Sequence, residues 1–176
     1  MKIKLTPSLA YFIGLWKERR TLEGIGVKGP EEIQVAFVKS AIENKLAEPG
    51  GILSGEESIY FYHTAQRKFF QKVIEEELER FKYKNEYSAN FLAGLFDGCG
   101  GTTAGGKVYL AGISQADQMM LSRLGFNLVK IRGAFFITRP AKFLVFIKPF
   151  TRVHKDNEIF TKIKADNERN IRALLD

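Results

Sequence analysis

A chain of 176 residues with 45% hydrophobic and 12% aromatic side chains can bury a full core, which excludes a disordered or low-complexity protein. A single cysteine, Cys99, excludes an internal disulfide, and the absence of CxxC or Cys/His spacing argues against a zinc module. The net charge of +7 is unevenly spread: 14 basic and 14 acidic residues cancel over positions 1–99, whereas 13 basic against 6 acidic over 100–176 leave the whole excess in the second half.

The first expected element is a helix opened by Thr6 as N-cap and Pro7 at the first helical position, running as SLAYFIGLWK from Ser8 to Lys17. Its apolar stretch, Leu9 to Trp16, is far short of the roughly 20 residues that span a bilayer, and no cleavage site follows it. A soluble cytoplasmic protein with no membrane partner is expected. Thr21–Lys28 and Ile33–Lys39 alternate like two strands around a Lys28-Gly29-Pro30-Glu31 turn, with a short helical stretch at Ser40–Leu46. Ser58–His63 reads as a strand and Ala65–Phe81 as an amphipathic helix, with Glu75-Glu76-Glu77 on its solvated face.

The pattern then repeats. Tyr87–Asp97, YSANFLAGLFD, is a second all-apolar helix, and an offset of 80 sets Gly14 on Gly94, Leu15 on Leu95 and Trp16 on Phe96. A helix apolar all round must be buried all round, so the two helices are expected to bury each other. Gly-rich 100–106 leads to a strand at Val108–Ile113, a helix at Ser114–Leu124, strands at Leu128–Arg132 and Ala134–Arg139, and a helix at Ala141–Phe150. Residues 154–176 read as a terminal helix. His63 and His154, far apart and with no ligand pattern around them, read as ordinary structural or surface histidines. The glycine run 99–106 lacks the Lys-Ser/Thr ending of a phosphate-binding loop and reads as a linker. The fold class is α+β: two pseudo-symmetric α-β-β-α-β-β-α repeats, 1–84 and 85–176, packed through their first helices into one compact unit.

FLAGLFDGCGG at 91–101 resembles the LAGLIDADG motif of homing endonucleases, and LAYFIGLWKERR at 9–20 is similar to a degenerate first copy. The resemblance implies a single-chain, two-repeat protein, monomeric, whose paired sheets form a saddle for duplex DNA. Small residues at Ala10, Gly14, Ala93 and Gly94 would let the helix backbones approach closely. In that family the penultimate acid of each motif lies at the saddle floor and holds the metal ions of phosphodiester cleavage. Here those positions are Arg19 and Cys99. Neither is a hard oxygen donor for Mg²⁺, so no cofactor is expected and cleavage is expected to be lost or weak. Glu18, Glu23 and Asp97 are the acids that could substitute if Mg²⁺-dependent nuclease activity persists. Arg19 and Arg20 could instead meet a phosphate.

Between residues 100 and 155 the one acid is Asp117, against nine basic residues, which favours a polyanionic partner. Lys28, Lys107, Tyr109, Lys130, Arg132 and Arg139 are the candidate nucleic-acid contacts. Lys130 and Arg132 are expected to face outward together while Val129 and Ile131 face in. Duplex DNA is the leading partner. An active endonuclease using displaced acids and an RNA-binding, maturase-like protein are the alternatives.

Overall fold

The computed structural model describes residues 2–160. The first half runs α1 (Pro7–Lys17), β1 (Ile25–Lys28), α2 (Glu31–Glu43), a 3-10 turn at Pro49–Gly51, β2 (Leu53–Gly55), β3 (Ser58–Phe61), α3 (Thr64–Glu75) and α4 (Glu77–Arg80). The second runs α5 (Glu86–Cys99), β4 (Gly100–Thr102), β5 (Val108–Ala111), α6 (Gln115–Arg123), β6 (Leu128–Ile131), β7 (Ala134–Ile137) and α7 (Pro140–Ile147). The sheets are antiparallel, in the orders β1-β3-β2 and β4-β5-β7-β6. Residues 161–176 of the expected terminal helix lie outside the described residues.

Both all-apolar helices form as expected. The Thr6 hydroxyl accepts the Leu9 N–H at 3.2 Å with Pro7 behind it, and Asn85 with Ser88 closes a capping box on α5. The two helices make the most extensive contact between any pair of elements, and that contact is reciprocal. A Cβ added to Gly14 would meet the Phe91 carbonyl and stand 3.1 Å from the Leu95 nitrogen; one added to Gly94 would meet the Tyr11 carbonyl and stand 2.7 Å from the Leu15 nitrogen. Each contact maps onto the other by the offset of 80 read from the sequence. Ala10 and Ala93 are fully buried in the same core.

Two expectations are corrected. Ile33–Lys39 is helical, not a strand, and Ser40–Leu46 begins as the end of that helix. Its buried residues Ile33, Ala36, Phe37, Ser40 and Ala41 recur at helical spacing, and Pro30-Glu31-Glu32 supplies a rigid start with acids in the first turn. β1 pairs with β3 on one edge, and on the other it meets the stretch around Arg20, which makes an isolated bridge to Val27. With Lys28 N–H to Arg19 O at 2.8 Å and Thr21 N–H to Gly26 O at 3.1 Å, this stub occupies the place that β4 takes beside β5. The other correction concerns Ala65–Phe81, which breaks at Glu76, turning Glu77 inward to 1% exposure rather than into solvent.

Gly94→Ala is expected to destabilise the protein by about 1–3 kcal/mol or more, because the added methyl meets backbone that cannot move aside. Gly51→Ala, where a Cβ would meet nothing within 4 Å, serves as control. Denaturant midpoints at unchanged m-value report the difference; equal midpoints for the two variants would show that the helices are not in close contact.

Candidate nucleic-acid interface

The C-terminal ends of α1 and α5 bring the two motif-terminal positions to the floor between the sheets. Arg19 donates through Nε to the Gly98 carbonyl at 2.6 Å, and a Cβ on Gly29 would stand 3.0 Å from its guanidinium. One arginine thus ties the floor of the first half to the last turn of α5. Cys99 is buried, and its thiol donates back to Leu95 O at 3.2 Å. Burial pushes the Cys99 thiol up to about 12, Glu18 and Asp117 adding to the effect and Arg19 opposing it. A buried thiol is a poor donor for a hard ion such as Mg²⁺, and a guanidinium brings positive charge to the same place.

Of the three substitute acids, Asp97 and Glu23 are engaged elsewhere, and Glu18 lies near Cys99 and Asp117. Asp97 is buried and accepts from the Tyr11 hydroxyl at 2.7 Å and from the Arg152, Val153 and His154 N–H groups at 2.7, 3.2 and 3.2 Å. It anchors the segment after α7. Glu23 is exposed and accepts from the Tyr62 hydroxyl at 2.7 Å. Glu18 lies 3.8 Å from the Lys17 ammonium. Both histidines are structural: the His63 ring accepts from Gln66 N–H at 3.3 Å, and His154 packs on Phe96 at 4.7 Å between centroids.

Sequence reasoning missed a buried cluster beside this floor. Lys17, 5% exposed, donates to Asp117 at 2.6 Å, to both Glu77 oxygens at 2.9 and 3.0 Å, and to the Ser114 hydroxyl at 2.9 Å. Burial alone would lower the Lys17 pKa, but Asp117 and Glu77 raise it above the ordinary lysine value. Burial, with Asp117 adding, holds Glu18 and Glu77 up near 7. The capping box Ser114-x-x-Asp117 was legible as a helix start; that a lysine 97 residues away in sequence shares it was not.

The open faces of the sheets are the remaining surface of the saddle. On the first sheet, Lys28 and Ser58 pair across the strands, as do Gly26 and Tyr60, on the side opposite buried Ile25, Val27 and Phe61. On the second sheet the registers put Leu110, Phe135 and Lys130 in one row on the core side. Tyr109, Phe136 and Val129 share the open side, with Ala111, Ala134 and Ile131. The expected orientation of β6 is thus reversed: Val129 and Ile131 are 47% and 45% exposed, while the Lys130 ammonium lies over the Phe135 ring at 5.6 Å. The helices offer a core to Leu110 and Ile137 on the inner strands, but β6 is the edge strand and its inner row runs out beyond them. Arg132 sits with Gly133 in the two-residue turn between β6 and β7, both at positive φ. Lys107 is exposed just before β5, and Arg139 precedes α7 as its N-cap. Lys28 and Tyr109 therefore stand on the open faces, whereas Lys130, expected to face outward, does not.

The fold is that of a LAGLIDADG homing endonuclease. Solved structures of I-DmoI match it: mesophilic variants of that homing endonuclease superpose at a TM-score of 0.60 with 16% identity, covering 80% of this chain and 94% of theirs. I-DmoI in complex with DNA and Mn superposes at 0.57, covering 80% of this chain and 96% of that one, and its complex with DNA and Ca at 0.57, covering 81% and 89%, both at 16% identity. No protein-family model and no curated protein matches the sequence at significant similarity. Among the described residues no helix is long and apolar enough to cross a membrane.

The cluster gives a pH signature. The folded-state pKa values of Glu18 and Glu77 lie above the ordinary 4.5, so their contribution to stability is fully present below about pH 4.5 and is lost as pH rises through about 7. Glu18→Gln is expected to flatten the fall in unfolding free energy over that window; an unchanged slope would place Glu18 in water. Lys17→Met leaves buried carboxylates without their cation and should cost about 3–5 kcal/mol.

Proposed function

We propose that this chain binds duplex DNA as a monomer of the homing-endonuclease type and has lost metal-dependent cleavage. The observation that carries this reading is the state of Arg19 and Cys99, each hydrogen-bonded to a main-chain carbonyl of α5 at the floor where the family resemblance implies metal-binding acids. Cleavage of a phosphodiester through bound metal needs oxygen donors that hold the ion and lower the pKa of its water. The acids nearest that floor, Glu18 and Asp117, lie against Lys17. The proposed DNA partner is supported by the fold shared with I-DmoI, whose structures include DNA complexes, and by a second half carrying the chain's whole positive excess. Two repeats in one chain complete the helix pair without a second copy, which supports a monomer. In this reading Arg19 and Arg20 meet a phosphate, so binding persists where cleavage has gone.

Incubation with a randomised duplex library in Mg²⁺ or Mn²⁺ is expected to give retained complexes and no site-specific double-strand breaks. Breaks abolished by Glu18→Gln would establish the displaced-acid enzyme instead. Affinity should fall with salt by about 0.9 log units per log unit for each phosphate contacted. Replacing Lys107 and Arg132 together by alanine should flatten that slope by up to about two units, and the same change at Lys2 and Lys45 should leave it alone. Equal effects from both pairs, or no binding at low salt, would overturn the reading.

A further inference from the structure

The open face of the second sheet lacks what duplex readout requires. Hydrogen bonds to base edges in the major groove come chiefly from arginine, lysine, asparagine and glutamine, and apolar side chains meet only the thymine methyl, yet the open positions of β5, β6 and β7 are Tyr109, Ala111, Val129, Ile131, Ala134 and Phe136. What the face offers is flat aromatic surface. Tyr109 pairs across the strands with Gly101, and a Cβ on that glycine would stand 2.8 Å from the Tyr109 Cζ and 2.5 Å from its hydroxyl. The ring therefore lies down over the glycine strand, along the sheet rather than away from it. Phe136 is its neighbour on the other side, with centroids 5.8 Å apart and planes at 50°, and Val129 at 47% exposure extends the row.

Charge around the face selects what can cover it. The one carboxylate between residues 100 and 155, Asp117, is fully buried under Lys17, so that stretch of chain shows solvent no acid at all. Lys107 and Arg132 are exposed at the ends of β5 and β6. An occupant that suits both features is apolar and flat where it meets Tyr109 and Phe136 and anionic where it meets the border. Nucleic-acid bases are flat and their phosphates anionic, but the base faces become available only when the bases are not stacked in a helix.

We propose that the open face of the second sheet is a stacking platform for unpaired bases of a nucleic acid, single-stranded DNA or RNA, with Tyr109 and Phe136 as the stacking rings and Lys107 and Arg132 on the backbone phosphates. The proposal rests on the reading that the saddle is a nucleic-acid surface. It adds that the two sheets differ in role: the first, with Lys28 and Ser58 beside Tyr60 on its open side, has polar groups for a paired segment, and the second, with no polar group but the Tyr109 hydroxyl among its open positions, takes bases that have left the helix.

The test uses the full chain and fluorescence anisotropy at one salt concentration. The probes are a paired duplex, the same duplex with a central unpaired stretch, and single strands of DNA and of RNA, with vesicles of phosphatidylcholine and phosphatidylglycerol as a further arm. The readout is the ratio of affinities for unpaired and paired probes, which does not depend on the fraction of protein folded. The wild type is expected to favour the probes with unpaired bases. Tyr109→Leu with Phe136→Leu keeps the apolar area and removes the rings; it should reduce the ratio by roughly five- to a hundredfold, the worth of one stacked base or more. Tyr109→Phe should retain the ratio. The DNA and RNA strands show which source is preferred, and either preference supports the platform. Equal affinity for paired and unpaired probes, or a ratio unmoved by the leucine pair, overturns the platform and leaves duplex binding standing. Binding to the vesicles that the strands do not compete away assigns the face to an anionic membrane surface and overturns it as well. No binding to any nucleic acid overturns both this proposal and the one on which it rests.

Discussion

Two glycines decide the architecture. Where Gly14 and Gly94 cross, each lies against the carbonyl of the residue three positions before the other, Phe91 for one and Tyr11 for the other. Side chains could not be fitted into that gap, so the backbones of α1 and α5 are held at the separation that missing Cβ atoms permit. The rest of each half is hung on this contact. The ends of the helices lead directly into β4 on one side and into the Arg20 stub on the other, so the spacing of the helix axes is also the spacing of the two sheets.

Much of this was legible because burial on all sides leaves a plain trace in composition. SLAYFIGLWK and YSANFLAGLFD have no polar face, and their glycines share one register. Strands and short helices on the periphery were harder to read. IQVAFVK fits a two-residue alternation over its own length, and it takes Ala36, Ser40 and Ala41 together with the Pro30 boundary to show the helical period. On β6, one register and its opposite are equally consistent with LVKI, since an edge strand has little core to choose between valine and lysine; tertiary position settled it. The floor residues were found in sequence because the family motif numbers them, and their replacement by Arg19 and Cys99 needed no coordinates to be seen. What they do instead, each bonding to a carbonyl of α5, did.

Two of the buried charged residues among those described sit at corresponding positions of the two motif helices. Lys17 and Asp97 occupy the same place by the offset of 80, carry opposite charge, and are both nearly excluded from solvent. Asp97 is neutralised by three backbone N–H groups after α7 and a tyrosine hydroxyl, Lys17 by carboxylates on α4 and α6. An isolated buried charge would cost several kcal/mol, so each of these positions depends on its complement being in place, and both complements are reached only when the chain is fully assembled.

The Lys17 partners have a bearing on what the first half could do by itself. Ser114 and Asp117 belong to the start of α6, where a capping box presents a hydroxyl and a carboxylate. The corresponding helix of the first half, α2, begins at Pro30 with no side-chain cap. A first half that paired with a second copy of itself would keep Glu77 beside Lys17 but bring it to Pro30, Glu31 and Glu32 in place of Ser114 and Asp117. The halves thereby differ at the place that receives Lys17: the capping box of α6 offers a hydroxyl and a buried carboxylate that the start of α2 does not reproduce.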